Sequence, residues 1–262
     1  MSLPSCNPRR AFRAPLILVA LLVAALALAA CGKKGPVMPK LAALPVAPGE
    51  LQIAQQGDDF ILSWTIPERN QDGAPAADLV GFHIYRMVYD AAEGCPTCRD
   101  PEELVAAIRL VRPEPAARFG QRLYWRDVAV AAGTGQAYLV VPVTIGGHEG
   151  PAAAAHRAWM PPPPAPAALQ ATAGERQVRL DWTPPAALPA GQQLLGYNLY
   201  RRPAGGVYLP LALNAEPLRE PRLTDFVGEA GREAVYRVTT VVRSGDLLLE
   251  SASSPESAAT PR

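Results

Sequence analysis

The amino-acid sequence predicts an all-β chain that contains two tandem sandwiches. The 262 residues include 29 Pro, aromatic side chains make up 6% of the chain, and the apolar runs are short. This composition favours strands joined by Pro-rich turns over long helices. Apolar side chains alternate along segments such as Val178, Leu180 and Trp182, as they do in half-buried strands. The same landmarks also occur twice along the chain, which indicates two copies of one fold.

Residues 1–30 have the three parts of a secretory signal. Arg9, Arg10 and Arg13 precede an apolar stretch at 14–30, which ends in small residues just before Cys31. A transmembrane helix needs roughly 20 apolar residues, and this stretch is shorter. We therefore expect residues 1–30 to be a signal peptide that is removed from the mature chain.

The run Leu28-Ala29-Ala30-Cys31 resembles the lipobox of bacterial lipoproteins. The resemblance implies a diacylglyceryl group on the Cys31 thiol, cleavage before Cys31, and a further acyl chain on the new amine. These chains would anchor the protein stably, because each buried methylene contributes about 0.8 kcal/mol. Gly32 resembles the signal for transfer to the outer membrane, which implies a cell-envelope protein that faces the periplasm. The alternative is an ordinary signal followed by an incidental Cys.

Residues 31–48 are expected to form a lipidated, Pro-rich tether. Four Pro and no apolar periodicity at 32–48 predict an extended segment, and these seventeen residues in polyproline geometry would span about 50 Å. The chain carries 25 Lys and Arg against 24 Asp and Glu. Three of the Arg leave with the signal, so the mature chain is near neutral and has no basic field that would attract nucleic acid. The expected partners are the membrane, through the lipid, and another envelope protein.

Two halves, residues 49–160 and 161–262, share landmarks in the same order. The corresponding pairs are Trp64 with Trp182, Gly81 with Gly196, Asp127 with Asp225, and Tyr138 with Tyr236. The spacing between the second and third landmarks is longer in the first half by about seventeen residues. This insertion contains Cys95 and Cys98. A Pro-rich stretch at 161–166 separates the halves and is predicted to act as a stiff hinge.

These landmarks resemble the fibronectin type III domain, an immunoglobulin-like sandwich. Its pattern has a Trp on the second strand, a Gly-Tyr that opens the third, and a sixth strand like Tyr-x-Val-x-Ala-Val. The second half matches with Tyr236-Arg237-Val238-Thr239-Thr240-Val241. The first half has Pro142 in the matching strand, and Pro cannot donate to a ladder, so a bulge or a break in pairing is expected there. The resemblance covers roughly residues 49–262.

The segment that follows the insertion is ambiguous. Pro101-Glu102-Glu103 has the acidic start of a helix, followed by good helix formers. The repeat, however, places residues 104–111 opposite 207–213. We therefore predict strands in both segments.

Cys95 and Cys98 allow four interpretations. In an exported protein a lone Cys-x-x-Cys pair most simply forms a local disulfide, because the compartment is oxidising. Free thiols rank second. A zinc site ranks third because two further ligands are not evident, and a redox centre ranks last because the βαβ context is missing.

No catalytic or metal-binding residue is predicted, because the chain has no nucleophile elbow, zinc-helix motif or phosphate-binding Gly loop. No cofactor or small-molecule substrate is expected either. Binding residues are candidates instead. Tyr85 and Tyr200 are predicted to lie on the outer face of the third strand of each half, where exposed Tyr is a common contact residue. The favoured interpretation, however, is that neighbouring strands half-cover both side chains.

The sequence thus predicts a membrane-anchored, non-enzymatic envelope lipoprotein that serves as a binding or spacer module. A second hypothesis comes from Cys31-Gly32-Lys33-Lys34-Gly35-Pro36, which resembles the start of small outer-membrane lipoproteins. One of those proteins is associated with assembly of the lipopolysaccharide translocon, which implies an assembly accessory factor. A third hypothesis is a module that binds carbohydrate or peptidoglycan.

Overall fold

Fifteen β-strands make up the regular secondary structure in a computed structural model that describes residues 43–227 and 230–262. The predicted signal peptide at 1–30, Cys31 and residues 32–42 lie outside the described residues. No helix in the described part of the chain is long and apolar enough to cross a membrane. The prediction of an all-β, immunoglobulin-like fold is confirmed.

The first sandwich packs a four-stranded sheet against a second sheet of the same size. Its strands are β1 Gly49–Gln56, β2 Asp59–Thr65, β3 Leu79–Asp90, β4 Glu103–Arg109, β5 Ala117–Phe119, β6 Arg122–Asp127, β7 Thr134–Thr144 and β8 Ala153–Ala158. One sheet has the order β1-β2-β6-β5 and the other has the order β4-β3-β7-β8. All pairs within these two sheets are antiparallel.

The core of the first sandwich lies between its two sheets. Leu62 and Trp64 on β2 face Phe82 and Ile84 on β3, and all four side chains are essentially inaccessible to solvent. The rings of Trp64 and Phe82 meet edge to face with centroids 5.5 Å apart, a favourable arrangement for two aromatic rings. The alternation along β2 and β3 therefore places every second side chain in this core.

The second sandwich repeats this plan with fewer paired residues. Its strands are β9 Ala167–Ala173, β10 Gln177–Thr183, β11 Gln192–Pro203, β12 Arg222–Phe226, β13 Ala234–Ser244, β14 Leu247–Glu250 and β15 Ser257–Ala259. Strands β9, β10 and β12 form one sheet, and β11 and β13 pair in the other. Strands β14 and β15 pair with opposite ends of β13, so they act as one interrupted last strand.

The core of the second sandwich reproduces the aromatic contact of the first. Trp182 and Tyr197 meet edge to face at 5.5 Å with an interplanar angle of 72°, and Trp64 and Phe82 have the same distance and angle. Leu180 and Leu199 are fully buried beside them. The aligned landmarks therefore occupy equivalent places in the two cores.

Pro142 lies within β7 and pairs with Phe82. The irregularity predicted at this position falls in the partner strand instead, where the register shifts between Leu79 and Gly81. The second sandwich has the same shift between Leu194 and Gly196, although no Pro is present there. The bulge is thus a property of the third strand in both repeats and does not arise from Pro142.

The ambiguous segment after the insertion is a strand, as predicted, and pairs with β3. Its expected counterpart at 207–213 is not a strand, so that prediction was wrong. Isolated backbone hydrogen bonds hold this stretch and the residues after it against β11. Leu213 N–H donates to Leu199 C=O, and Leu218 and Tyr197 exchange two backbone hydrogen bonds. The side chain of Asn214 occupies the Leu199 N–H, which a regular strand would have used.

The recurring Asp of each half joins two other repeated residues. Asp127 accepts hydrogen bonds from Tyr138 at 2.7 Å and from Arg86 at 3.1 Å. Asp225 accepts equivalent bonds from Tyr236 and Arg201. Burial, together with the neighbouring carboxylate, raises the pKa of Tyr138 and of Tyr236. Asp127 therefore holds β7 to the rest of the first sandwich, and Asp225 does the same for β13 in the second. Asp127 also accepts the N–H of Ala129 in the turn that follows it.

Candidate functional site

The turn between β1 and β2 of the first sandwich contacts the second sandwich. Gln56 pairs with Glu250 in a parallel bridge between β1 and β14, and Gly57 N–H donates to Glu250 C=O at 2.9 Å. A Cβ on Gly57 would approach the Ala252 backbone to 3.2 Å, and Gly57 also has a positive φ of 60°. Glycine is therefore required at this turn for both backbone conformation and space. We call this contact region the junction.

The Glu250 carboxylate is the centre of the junction. It accepts hydrogen bonds from four side chains, three on the second sandwich and one on the first: Asn198 at 2.5 Å, Tyr200 at 2.7 Å, Thr239 at 2.9 Å and Gln56 at 3.0 Å. Hydrogen bonds to a charged acceptor are stronger than those between neutral groups. The carboxylate therefore couples two strands of its own sandwich to the neighbouring one.

Tyr200 belongs to this cluster and is 4% exposed, so the interpretation of it as an exposed contact residue was wrong, and the half-covered interpretation understated its burial. It does point away from the core of its own sandwich, as the alternation of β11 requires. The first sandwich and the stretch around Pro210 cover that outer face, and a cavity of about 460 Å³ remains between them. Burial is the main cause of the raised pKa of Tyr200, and Glu250 adds to it.

Arg157 makes a second set of contacts across the junction. Its guanidinium donates to Ile53 C=O on β1 at 3.1 Å and to Leu248 C=O on β14 at 2.9 Å. Burial lowers its pKa. A side chain on β8 thus links the two strands that meet at Gln56 and Glu250.

The Pro-rich stretch at 161–166 is supported at its start. Gln55 and Met160 exchange two hydrogen bonds, and Gln192 donates to Pro161 C=O at 3.0 Å. The stretch predicted as a hinge therefore begins beside lateral contacts that the sequence did not indicate.

The end of the predicted tether packs on the first sandwich. Val46 N–H donates to Arg69 C=O, and Leu44 C=O accepts from Gln71 N–H. Pro45 and Pro48 are buried. Residues 44–48 thus belong to the sandwich, which revises the predicted boundary of the tether at residue 48.

Tyr85 lies in the region of the first sandwich that corresponds to the junction side of the second. Tyr85 O–H donates to Glu149 Oε1 at 2.8 Å, and His83 Nδ1 is 2.6 Å from the same oxygen. The bond to Glu149 raises the pKa of Tyr85, and the bond from His83 lowers the pKa of Glu149. The His83 and Glu149 side chains are 31% and 40% exposed. Tyr85, His83 and Glu149 form what we call the outer cluster.

Cys95 and Cys98 form a disulfide within the insertion. The loop that contains them lies over part of the same outer face. Met87 and Ala137 are buried there, and Arg99 contacts the Met87 sulfur at 3.0 Å. A groove of about 270 Å³ runs between this loop and the strands β7 and β8.

The residues that the sequence analysis missed are Gln56, Arg157, Glu149 and Glu250. The two Glu follow hairpins of different length, so the offset of 98 residues that aligns Tyr138 with Tyr236 does not align Glu149 with Glu250. Within the described residues, no group of three His, Cys, Asp or Glu is arranged to hold a metal ion.

Comparisons with known proteins bear on the fold. No family model matches the sequence. An exo beta-1,2-glucooligosaccharide sophorohydrolase from Parabacteroides distasonis is 35% identical over 77 residues, which are 29% of this chain and 10% of that enzyme. This chain therefore spans about a tenth of that relative's length.

Two solved structures are also similar. An Fn3-like protein from Clostridium thermocellum is 24% identical, with 38% of this chain and 94% of that chain covered and a TM-score of 0.29. The FN1-FN3 domains of chicken CNTN1 are 13% identical, with 83% of this chain and 67% of that chain covered and a TM-score of 0.28. The assignment of the fold rests on the strand order and on the repeated aromatic contacts. The chain is built from all-β, immunoglobulin-like sandwiches.

Proposed function

We propose that this protein is a non-enzymatic, lipid-anchored envelope protein whose two sandwiches act as one rigid spacer that presents a binding surface. The lipobox-like run that ends at Cys31 supports the anchor. The junction supports rigidity, and the bonds of Glu250 to both sandwiches are the observation that carries this part of the proposal.

A lateral interface is needed for rigidity because a linker alone leaves two domains free to reorient. Here β1, β8 and the stretch after Met160 all contact the second sandwich. An anchored spacer of this kind holds whatever it binds at a set distance from the membrane, since the anchor fixes one end and the junction fixes the angle between sandwiches.

Labelled palmitate tests the anchor. We expect it to enter the wild-type protein, and we expect Cys31→Ser to abolish both labelling and cleavage before residue 31. Cys6→Ser is the matched control, because Cys6 lies within the predicted signal peptide and should leave labelling unchanged. Equal membrane retention of the Cys31→Ser and wild-type proteins would contradict the lipid anchor.

A further inference from the structure

The two sandwiches carry a carboxylate at the same structural position. Glu149 bridges Val143, and Glu250 pairs with Val241. Val143 lies five residues after Tyr138 on β7, and Val241 lies five residues after Tyr236 on β13. The hairpins between each Val and its Glu differ in length, but both bring the Glu side chain to the outer face.

The donors to the two carboxylates are equivalent as well. Tyr85 and Tyr200 occupy the same place in the third strand, and each donates its phenolic O–H to the Glu of its own sandwich. His83 bonds Glu149 where Asn198 bonds Glu250. The outer cluster is therefore a second copy of the cluster that forms the junction.

The copies differ in what covers them. In the second sandwich the carboxylate receives a further bond from Gln56, whose strand belongs to the neighbouring sandwich, and Tyr200 is buried. In the first sandwich Val141 stands where the second has Thr239, so one internal donor is missing. Both bonds to Glu149 go to Oε1. Within the described residues, Oε2 of Glu149 has no bonded neighbour.

We propose that the outer cluster is a docking surface for a β-hairpin of a partner protein that presents a Gln or Asn side chain to Glu149. This inference rests on the proposed role as a binding module and names the kind of partner. The carboxamide N–H donates to Oε2 of Glu149, as Gln56 donates to Glu250. The partner strand lies along the outer face, as β1 lies beside β14.

The surroundings of the outer cluster suit a strand. Leu139 pairs with Tyr85 and lines the groove beside the disulfide loop, together with Pro96, Pro101 and Ala154. These side chains offer apolar contacts next to the Glu149 carboxylate, and Arg99, Asp100 and His156 also line the groove. Such a combination gives orientation through the hydrogen bond and affinity through the apolar area.

The hairpin of this protein provides a probe for the test. A cyclised peptide with the sequence of residues 52–62 is titrated at pH 7 into the full, isotope-labelled chain in detergent, and amide shifts are followed by NMR. We expect saturable shifts at residues 83, 85 and 149. A control peptide with Ala at the position of Gln56 should bind about tenfold more weakly, because it loses a bond to a charged acceptor.

Variants of the protein complete the test. Glu149→Ala should weaken peptide binding about tenfold. Glu149→Gln preserves the size of the side chain and should weaken it as well. Glu175→Ala, which removes an exposed carboxylate in a turn of the second sandwich, should leave the affinity unchanged.

The inference would be overturned by shifts confined to residues around Glu250, or by unchanged affinity in both Glu149 variants. Neither result bears on labelling at Cys31, so failure of this surface and failure of the lipid anchor are separate outcomes. Binding of the chain to lipid vesicles through residues 83, 85 and 149, without peptide binding, would also reject a protein partner.

Discussion

Gln56 of the first sandwich and Glu250 of the second are joined twice, by their pairing in neighbouring strands and by a side-chain bond of 3.0 Å. The same carboxylate accepts from Tyr200 and Thr239 inside its own sandwich. The junction and the outer half of the second sandwich are therefore coupled through one side chain.

Replacing Glu250 with Ala is expected to destabilise the second sandwich and loosen the junction together. The Tyr200 hydroxyl would lose its acceptor while remaining buried, and Thr239 would keep only its 3.4 Å bond to Asn198 C=O. Together these losses cost about 2 kcal/mol or more in the free energy of unfolding. Urea denaturation measures the loss. Asp246→Ala, an exposed change in the hairpin just before Glu250, serves as the control and should cost less than about 0.5 kcal/mol.

Arg157→Ala is expected to loosen the geometry between the sandwiches. It removes the bonds to Ile53 and Leu248 but leaves both cores intact. Spin labels at Val111 and Val207, which are 99% and 81% exposed, should report a broader distance distribution. We expect the free energy of unfolding to fall by about 2 kcal/mol, because two hydrogen bonds from a charged donor are lost. Arg243→Ala, at an exposed site on β13, should leave the distribution as in the wild type; an unchanged distribution in Arg157→Ala would argue against its role at the junction.

Alkaline pH is expected to destabilise the protein through its buried tyrosines. Burial raises the pKa of Tyr138, Tyr200 and Tyr236 above the ordinary value of 10.0. Below pH 10 the folded and unfolded chains both keep these protons. Above pH 10 the unfolded chain releases protons that the folded chain retains, so stability falls by up to about 1.4 kcal/mol per pH unit for each tyrosine.

Tyr138→Phe isolates one of these contributions. Its stability should fall less steeply between pH 10 and 12 than that of the wild type, although it loses about 1 kcal/mol at pH 7 with the bond to Asp127. Urea denaturation across this pH range gives both values. An identical slope in the two proteins would show that Tyr138 does not hold its proton in the folded state.

Removal of the disulfide is expected to have a modest effect. The bond closes a loop with a sequence separation of 3, so the chain-entropy estimate for Cys95→Ser with Cys98→Ser is about 2 kcal/mol at most. Thermal unfolding with and without reductant measures the loss. Mass spectrometry after alkylation should find no free thiol at either position unless reductant is added first.

The sequence predicted the fold because its cores repeat. Trp64 and Trp182, with the aromatic residues that open the third strands, recur at similar spacing and take the same places in both sandwiches. The outward direction of Tyr85 and Tyr200 followed from the period of two along a strand. These inferences need only the spacing of residues within each half of the sequence.

The junction could not be predicted in this way. Gln56, Arg157 and Glu250 are distant in sequence, and each is an ordinary polar residue at its own position. Tyr200 looked as exposed as Tyr85, because a strand pattern specifies a face and not what lies against that face. The prediction of a strand at 207–213 was wrong for a related reason. The Asn214 side chain accepts the hydrogen bond from Leu199 N–H that a strand at this position would have accepted.

The contacts of Arg157 also bear on how chains behave when they are crowded on a surface. A sheet edge with unpaired carbonyls is a template for addition of a strand from another molecule, and this is a common route to aggregation. Ile53 and Leu248 each give a carbonyl of such an edge to Arg157, and Gln56 and Glu250 pair with each other beside them. Opening the junction would uncover two edges at once, so the interface that orients the sandwiches also keeps neighbouring copies from joining their sheets.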